Sequence, residues 1–434
     1  MAVQEPSQVS GDNQISQSNT LNIDSSPGTS SQSILEHNDP KSRIKISLLL
    51  LGFLLIGLYE SSISVLILNL QIYYQVDKAT VAFLLLGGTL GHFIAALTIG
   101  FIENWLGRLS LLLIGINSFV IATLACSLCP PFKIFILLPI LIGFGLAIIE
   151  TWFNAYLVMQ PNSKIWLNYL HALWGVGALL GPIIAASIIA SNQGWYNIYR
   201  LWALLGFLLA IALYLAFSDQ ADTTLNYDDS QGSQPSVLQA ALTSPIIWFT
   251  SGFVIFCVGT EHSLGDWAYS FLCSIQHESH FMASLSISTY WLGMTLARLG
   301  ISILFRWFEI NQLLYLCMFS ILINMMLIWF WPSVIMSTVG LGIAGLSLGP
   351  LYPTILAVVA KQIQPRLVIS AIAIISGLGK LGTSIVPWLM GLIAQKFSLW
   401  SLFPYIMLLA MIMVILWTAM KFLYYRPEQI SING

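Results

Sequence analysis

The chain has 434 residues, of which 57% are apolar and 8% charged, against about 25% charged in an ordinary soluble protein. With a mean hydropathy of +0.82, this excludes a water-soluble globular enzyme and makes lipid the solvent for most of the chain. A formal net charge of −2 provides no basic field for nucleic acid, and five scattered cysteines form no disulfide framework.

The first forty residues are rich in Ser, Gln and Asn and carry Glu5, Asp12, Asp24, Glu36 and Asp39 without a Lys or Arg. Such a segment cannot bury enough apolar surface to order itself, so 1–43 is expected to be a disordered cytoplasmic tail. It lacks the basic start and apolar run of a secretory signal and the Arg-rich, acid-poor composition of a transit peptide.

From about Ile44 onward, apolar runs recur that are long enough for the ~20 residues a helix needs to cross the hydrocarbon core. Twelve spans are predicted, at 45–74, 79–102, 109–128, 133–158, 165–191, 198–217, 245–273, 281–305, 312–330, 333–360, 367–395 and 400–423. Cys126 and Cys129 form a C-x-x-C at the end of the third. No second pair follows, so packing explains them better than zinc or redox chemistry, and no metal or cofactor is expected. Between the sixth and seventh spans lies 218–244, with Asp219, Asp222, Asp228, Asp229 and Pro235 and no basic residue, which reads as a cytoplasmic linker. The expected fold is thus an all-α integral membrane protein: six-helix bundles at 44–217 and 245–424, and a cytoplasmic C-terminus at 425–434.

With the N-terminus cytoplasmic, the inner side receives Lys41, Arg43, Lys45, Arg108, Lys164, Arg306, Lys361, Arg366, Lys421 and Arg426, and the outer side Lys78, Lys133, Arg200 and Lys396. That asymmetry obeys the positive-inside rule and puts both termini in the cytoplasm.

The halves repeat at an offset of about 200 residues. Ile142-Gly143-Phe144-Gly145-Leu146-Ala147 matches Val339-Gly340-Leu341-Gly342-Ile343-Ala344, Gly175-Val176-Gly177 matches Gly377-Leu378-Gly379, and Leu86-Gly87 with Thr89-Leu90 matches Leu292-Gly293 with Thr295-Leu296. Repeated halves place a substrate site between them near mid-membrane, where rocking exposes it to alternate sides. Gly340 to Gly345 satisfies G-x-G-x-x-G, but inside an apolar span with no preceding strand it marks helix packing rather than a dinucleotide site.

Six charged residues fall within or just inside spans: Glu60, Glu150, Glu261, Asp266, Arg298 and Lys380. A charge at the bilayer centre costs roughly 2.5–3.5 kcal/mol on insertion scales, so such residues face the bundle interior and mark a substrate, ion or proton path. Glu150, with Asn154 at i+4 and Trp152 and Tyr156 nearby, has the richest setting for a polar ligand. Glu60 and Glu261 are the secondary candidates for proton coupling. The structural alternative is that these carboxylates only pair with Lys380 or Arg298. Lys380 takes the position of Ala178 in the repeat and is a counter-ion for a carboxylate or an anionic solute. Arg298 takes that of His92, nearer the cytoplasmic end, where a gate or a helix-end anchor fits as well as a ligand contact. His171 and His262 read as relays or as satisfied interior histidines.

Gly100-Phe101-Ile102-Glu103-Asn104-Trp105-Leu106-Gly107-Arg108 resembles the signature loop of the major facilitator superfamily, with Glu103 for the usual Asp and Asn104 for the usual base. The resemblance spans about 45–424 and implies a cytoplasmic gate at Gly100, Glu103, Gly107 and Arg108, with Arg298 as a further gate candidate. Gly143-x-Gly145 with Glu150 and Asn154, the stretch Asn168, His171, Trp174-Gly175, Gly177-Ala178 and Gly181-Pro182, and Gly259, Glu261 and Trp267 are similar to the fucose and glucose permease-like branch of sugar:proton symporters. Gly177-Ala178-Leu179-Leu180-Gly181-Pro182 also resembles the fifth-span motif of proton antiporters that export drugs, with Ala185-Ala186 in place of its closing Gly-Gly.

The reading is a secondary active transporter, not an enzyme, that carries a small polar organic solute, a sugar, by proton-coupled symport. Glu150, Glu60 and Glu261 are its coupling groups; Asn154, Trp152, Trp174, His171, Trp267, Tyr290, Tyr352 and Lys380 are its solute contacts. Its expected partners are the lipid bilayer, the solute and protons, with sodium as the alternative ion, and the expected state is a plasma-membrane monomer. The rivals are a proton-coupled exporter of drugs or metabolites and a non-transporting membrane sensor or scaffold.

Overall fold

The computed structural model describes residues 40–218, 242–364 and 367–424. Residues 1–39 of the expected disordered tail, nearly all of the acidic linker and the C-terminal segment lie outside the described residues; the last four residues of that tail, 40–43, are instead the start of a helix. Within them the chain forms α1 (Pro40–Tyr74), α2 (Lys78–Leu106), α3 (Arg108–Ser127), α4 (Leu138–Val158), α5 (Ser163–Ala190) and α6 (Tyr196–Phe217). The second series is α7 (Pro245–Ser274), α8 (His280–Leu299), α9 (Ile310–Phe330), α10 in two pieces (Val334–Leu348 and Leu351–Gln362), α11 (Val368–Lys396) and α12 (Leu402–Tyr424). A helix satisfies its own backbone polar groups, which is the condition for crossing lipid. Helix starts are written locally: Asp77 Oδ1 accepts from Thr80 N at 2.6 Å, and the Ser279 and Ser333 hydroxyls accept from Met282 N and Met336 N, both at 3.2 Å. Glu309 and Gln312 form a capping box at α9.

Ten helices are long and apolar enough to cross a membrane on length and composition. The other two, α7 and α8, carry Glu261, Asp266 and Arg298 among many Ser and Thr. They are membrane-length helices of 30 and 20 residues all the same, because the bundle rather than lipid covers much of their surface: Ser251, Thr260, Ser263, Ser270, Ser284 and Ser288 are all buried.

The two halves pack by one scheme. In the first, α2 packs on α4, α4 on α3 and α3 on α6; in the second, α8 packs on α10, α10 on α9 and α9 on α12. Backbone-to-backbone approach sets the spacing. A Cβ on Gly143 of α4 would collide with the Gly88 carbonyl of α2, and one on Gly345 of α10 with the Tyr290 carbonyl of α8. The Gly340–Gly345 motif accordingly packs helices, with Gly340 against Ile328 and Asn324 of α9.

The halves meet along α2 with α11 and along α5 with α8, which is the same contact exchanged by the repeat. Toward the end bearing Lys78 and Lys396 this seam is shut. Lys78 N donates to Gln395 Oε1 at 3.1 Å, Phe83 lies 5.6 Å from Trp388 between ring centres, and the Thr89 and Thr383 hydroxyls are 3.4 Å apart. Nearer the middle Trp174 and Trp291 meet edge to face at 5.6 Å. Toward the opposite end of α2, Leu97, Phe101 and Trp105 are exposed.

A methyl group at Gly345 is expected to cost about 1–3 kcal/mol by overpacking. A Cβ at Gly88 meets nothing within 4 Å, and Gly88→Ala should be neutral or gain about 0.5–1 kcal/mol from helix propensity. Thermal unfolding of Gly345→Ala and Gly88→Ala in detergent checks the contrast.

Candidate functional site: a mid-bundle charge cluster

Five of the six charged side chains predicted inside spans are paired. On α1, Glu60 Oε2 accepts from Trp174 Nε1 of α5 at 2.8 Å; the close approach of Gly57 to the Trp174 carbonyl brings the helices together. On α4, Glu150 Oε2 lies 3.7 Å from Lys380 Nζ of α11, so this pair joins the two halves. On α7, Glu261 receives Arg298 Nη2 of α8 at 3.1 Å to each carboxylate oxygen. Glu60 lies within electrostatic reach of Glu150, Lys380 and Glu261. The three pairs therefore form one cluster.

The cluster holds three carboxylates and two cations, and Glu60 makes up the difference with an indole N–H. It can accept one further positive charge, a proton or a small cation, without exceeding neutrality. It is also wet on one side. The side chains of Lys380, Arg298 and Glu150 keep 42%, 35% and 24% of their surface although Lys380 and Glu150 lie well inside their helices, and the seam is shut toward Lys78, so they are open toward the other end.

Around these charges stand polar groups of both halves. Exposed His171 lies within electrostatic reach of Glu150 and Arg298, and its ring meets Phe53 edge to face at 5.7 Å. Half-buried Tyr352 shares a hydrogen bond with Ser376 Oγ at 3.0 Å and lies within reach of Lys380. Asn154 is half-buried, but its Nδ2 donates to the Glu150 carbonyl at 2.8 Å, which leaves the amide oxygen as its free end for a solute. Trp291, which the sequence reading overlooked, crowds Trp174 and Gly265. Its signal was present: it shares a helix face with Thr295 and Arg298.

Three expected solute contacts are corrected. Trp152 is 6% exposed; its Nε1 donates to the Arg108 carbonyl at 2.9 Å and its ring stacks on Tyr156, so it anchors the α2–α3 loop. Trp267 is fully buried and donates to the Pro387 carbonyl at 2.8 Å, clamping α7 to α11. Tyr290 is fully buried with its hydroxyl on the Glu261 carbonyl at 2.9 Å. Each indole or phenol needed a buried acceptor and found backbone. Glu261 is itself locked by Arg298, so both belong to the cluster.

In that loop, Gly107 ends α2 and begins α3 with φ 82° and ψ 169°, a region open essentially to glycine. Arg108 Nε lies 3.6 Å from Glu103 Oε1. Gly100 is exposed and a Cβ there meets nothing.

The sequence matches the Major Facilitator Superfamily over residues 49–347. It is 22% identical over 423 residues, 89% of this chain and 83% of the relative, to Bypass of stop codon protein 6 of Saccharomyces cerevisiae. To the glucose/mannose transporter GlcP of Bacillus subtilis it is 20% identical over 262 residues, 59% of this chain and 64% of that protein. Among solved structures, a bacterial homolog of the human lysosomal transporter Spinster, inward-facing and unoccupied, superposes with a TM-score of 0.72 at 14% identity, covering 90% of this chain and 99% of that one. A D-xylose-proton symporter superposes with a TM-score of 0.68 at 15% identity, covering 85% and 96%. At these identities the structures establish the shared fold.

Removing Arg298 strands a buried carboxylate, which costs about 3 kcal/mol, whereas removing both charges does not. Arg298→Gln is expected to lower the melting temperature more than the Glu261→Gln/Arg298→Gln double variant, read by thermal unfolding in detergent. Gly107→Ala should cost about 1–3 kcal/mol by the same measurement, from backbone strain.

Proposed function

This chain belongs to the major facilitator superfamily and is a multi-pass membrane transporter of small solutes, not an enzyme, and on that premise we propose that it carries a sugar together with protons by alternating access. The observation that carries the reading is the Glu150–Lys380 pair, 3.7 Å across the seam between the halves and open to water. A proton on Glu150 cancels the attraction that draws α4 to α11 and frees the Lys380 ammonium. Protonation and the rocking of the halves are then one equilibrium. Glu60, tied to Trp174, passes changes at the carboxylates to a solute-contacting ring, and Glu261 is held in reserve by Arg298.

A sugar needs hydrogen-bonding groups at its hydroxyls and flat apolar surface at its ring faces. Asn154, His171, Tyr352 and Lys380 supply the first, Trp174 the second. The distant likeness to a glucose/mannose transporter and the fold shared with a D-xylose-proton symporter support the same substrate class. With both termini cytoplasmic, a placement the distribution of Lys and Arg supports, the open end faces the cytoplasm. Gly100, Glu103, Gly107 and Arg108 then form the cytoplasmic gate, in a plasma-membrane monomer whose six-helix bundles are joined by the acidic linker.

Glu150→Gln in proteoliposomes is expected to retain exchange of labelled sugar between the two sides but to lose accumulation driven by a pH gradient. Undiminished accumulation by this variant removes Glu150 from coupling. Accumulation driven by a gradient of the opposite sign makes the protein an exporter.

A further inference from the structure

The register of the shut seam leads to a titratable side chain that none of the three pairs includes. Along α2 and α11, Lys78 meets Gln395, Ala82 meets Gly391, Phe83 meets Trp388 and Thr89 meets Thr383. Eleven residues along α2 thus answer to twelve back along α11, which is one antiparallel register. Three residues further, on the same face, that register sets His92 level with Lys380. The two lie within electrostatic reach of each other, just inside the innermost of these contacts.

Hydrogen bonding fixes what the His92 ring can do. Its Nδ1 lies 3.0 Å from the Gly88 carbonyl oxygen, which can only accept, so Nδ1 carries the proton of the neutral ring. Nε2 is buried without a hydrogen-bond partner. In the neutral ring that atom is an idle acceptor. A second proton there makes the ring a cation, and its new N–H needs an acceptor of its own. The charged groups in reach are Lys380 of α11 and Glu150 of α4. The third helix packed on α2 is α3, whose ionisable residues, Arg108 and Cys126, stand at its two ends. Of these groups Glu150 is the one that accepts.

A proton on His92 therefore acts twice. It draws Glu150 from Lys380 toward a cation of its own half, since α2 and α4 pack together through Gly88 and Gly143. It also sets a like charge against Lys380 across the seam. Both effects loosen α2 from α11. The second half shows the same arrangement made permanent: Arg298, at the position of His92 in the repeat, holds Glu261 of its own half at 3.1 Å to each carboxylate oxygen. The first half has at that position the side chain whose charge changes between about pH 5 and 8.

We propose that His92 is a proton-operated switch of the seam: once protonated it takes Glu150 from Lys380 and parts α2 from α11. This rests on the coupling reading above and adds a second proton-binding group to it, one that breaks the pair between the halves while Glu150 stays ionised.

The test uses the full-length chain in detergent with spin labels on Lys78→Cys and Lys396→Cys, whose separation reports the shut end. The chain with its native cysteines alone supplies the background. Lowering the pH from about 8 to about 5 is expected to raise the ratio of parted to shut molecules about tenfold. His92→Gln, which cannot become a cation, should stay shut across that range, and His92→Lys, a fixed cation, should be parted throughout. Should His92→Lys fail to fold, His92→Gln decides. A wild type whose label separation ignores pH, or a pH response undiminished in His92→Gln, would overturn the proposal. If the response persists in His92→Gln but disappears in Glu150→Gln, the coupling reading stands and the His92 switch falls. Accumulation by Glu150→Gln in proteoliposomes tests the coupling reading separately.

Discussion

An unpaired charge in the hydrocarbon core is the term this fold is arranged around, and the contact that expresses it is the 3.7 Å approach of Glu150 to Lys380. Either charge alone is costly at that depth. The two come from different halves of the chain, α4 and α11, so satisfying one requires the other half to be near. Most pairs in the bundle, such as Glu60 with Trp174 and Glu261 with Arg298, are settled within a half and are indifferent to rocking. The Glu150–Lys380 pair is not.

The rest of the architecture divides close packing within each half from looser packing between them. Within a half, helices touch backbone to backbone, at Gly143 on α2 and Gly345 on α8, so the spacing has little slack. Between the halves the hydrogen bonds and ring contacts rest largely on side chains: Phe83 on Trp388, Trp174 on Trp291, Thr89 near Thr383, and the Lys78 N–H on the Gln395 amide. Side chains can part and repack, whereas close backbone packing is effectively two-state, packed or broken.

The polar character of α7 and α8 follows from the same division. These helices, with α11, carry the second half's share of the charge cluster and are enclosed by neighbours. Ser, Thr and acidic residues that lipid would reject are tolerated there, provided that they find partners. Glu261 finds Arg298; Asp266 Oδ2 finds no hydrogen-bond partner among the described residues. That difference between two carboxylates five residues apart on one helix is a property of their faces, since Glu261 meets Arg298 of α8 and Asp266 stands about 140° farther round the helix.

The amino-acid sequence by itself determined the solvent, the spans, the repeat and the short roll of costly charges, because these rest on local quantities: twenty apolar residues, a glycine spacing, an ionisable group in an apolar run. Its helix limits lie within about five residues of α1 to α12 except at α8, where the expected span runs to 305 and the helix ends at Leu299; α7 and α8 are found although composition alone leaves them below the membrane threshold. Only the tertiary structure decided which carboxylate meets which cation, since Glu150 and Lys380 are 230 positions apart and nothing local distinguishes Lys380 from Arg298 as a partner. It also decided which aromatic rings are spent on holding the helices together. Trp152, Trp267 and Tyr290 look as suitable as Trp174 in one dimension. Each was drawn instead to a buried carbonyl on a neighbouring helix, an acceptor that exists only once the helices are packed.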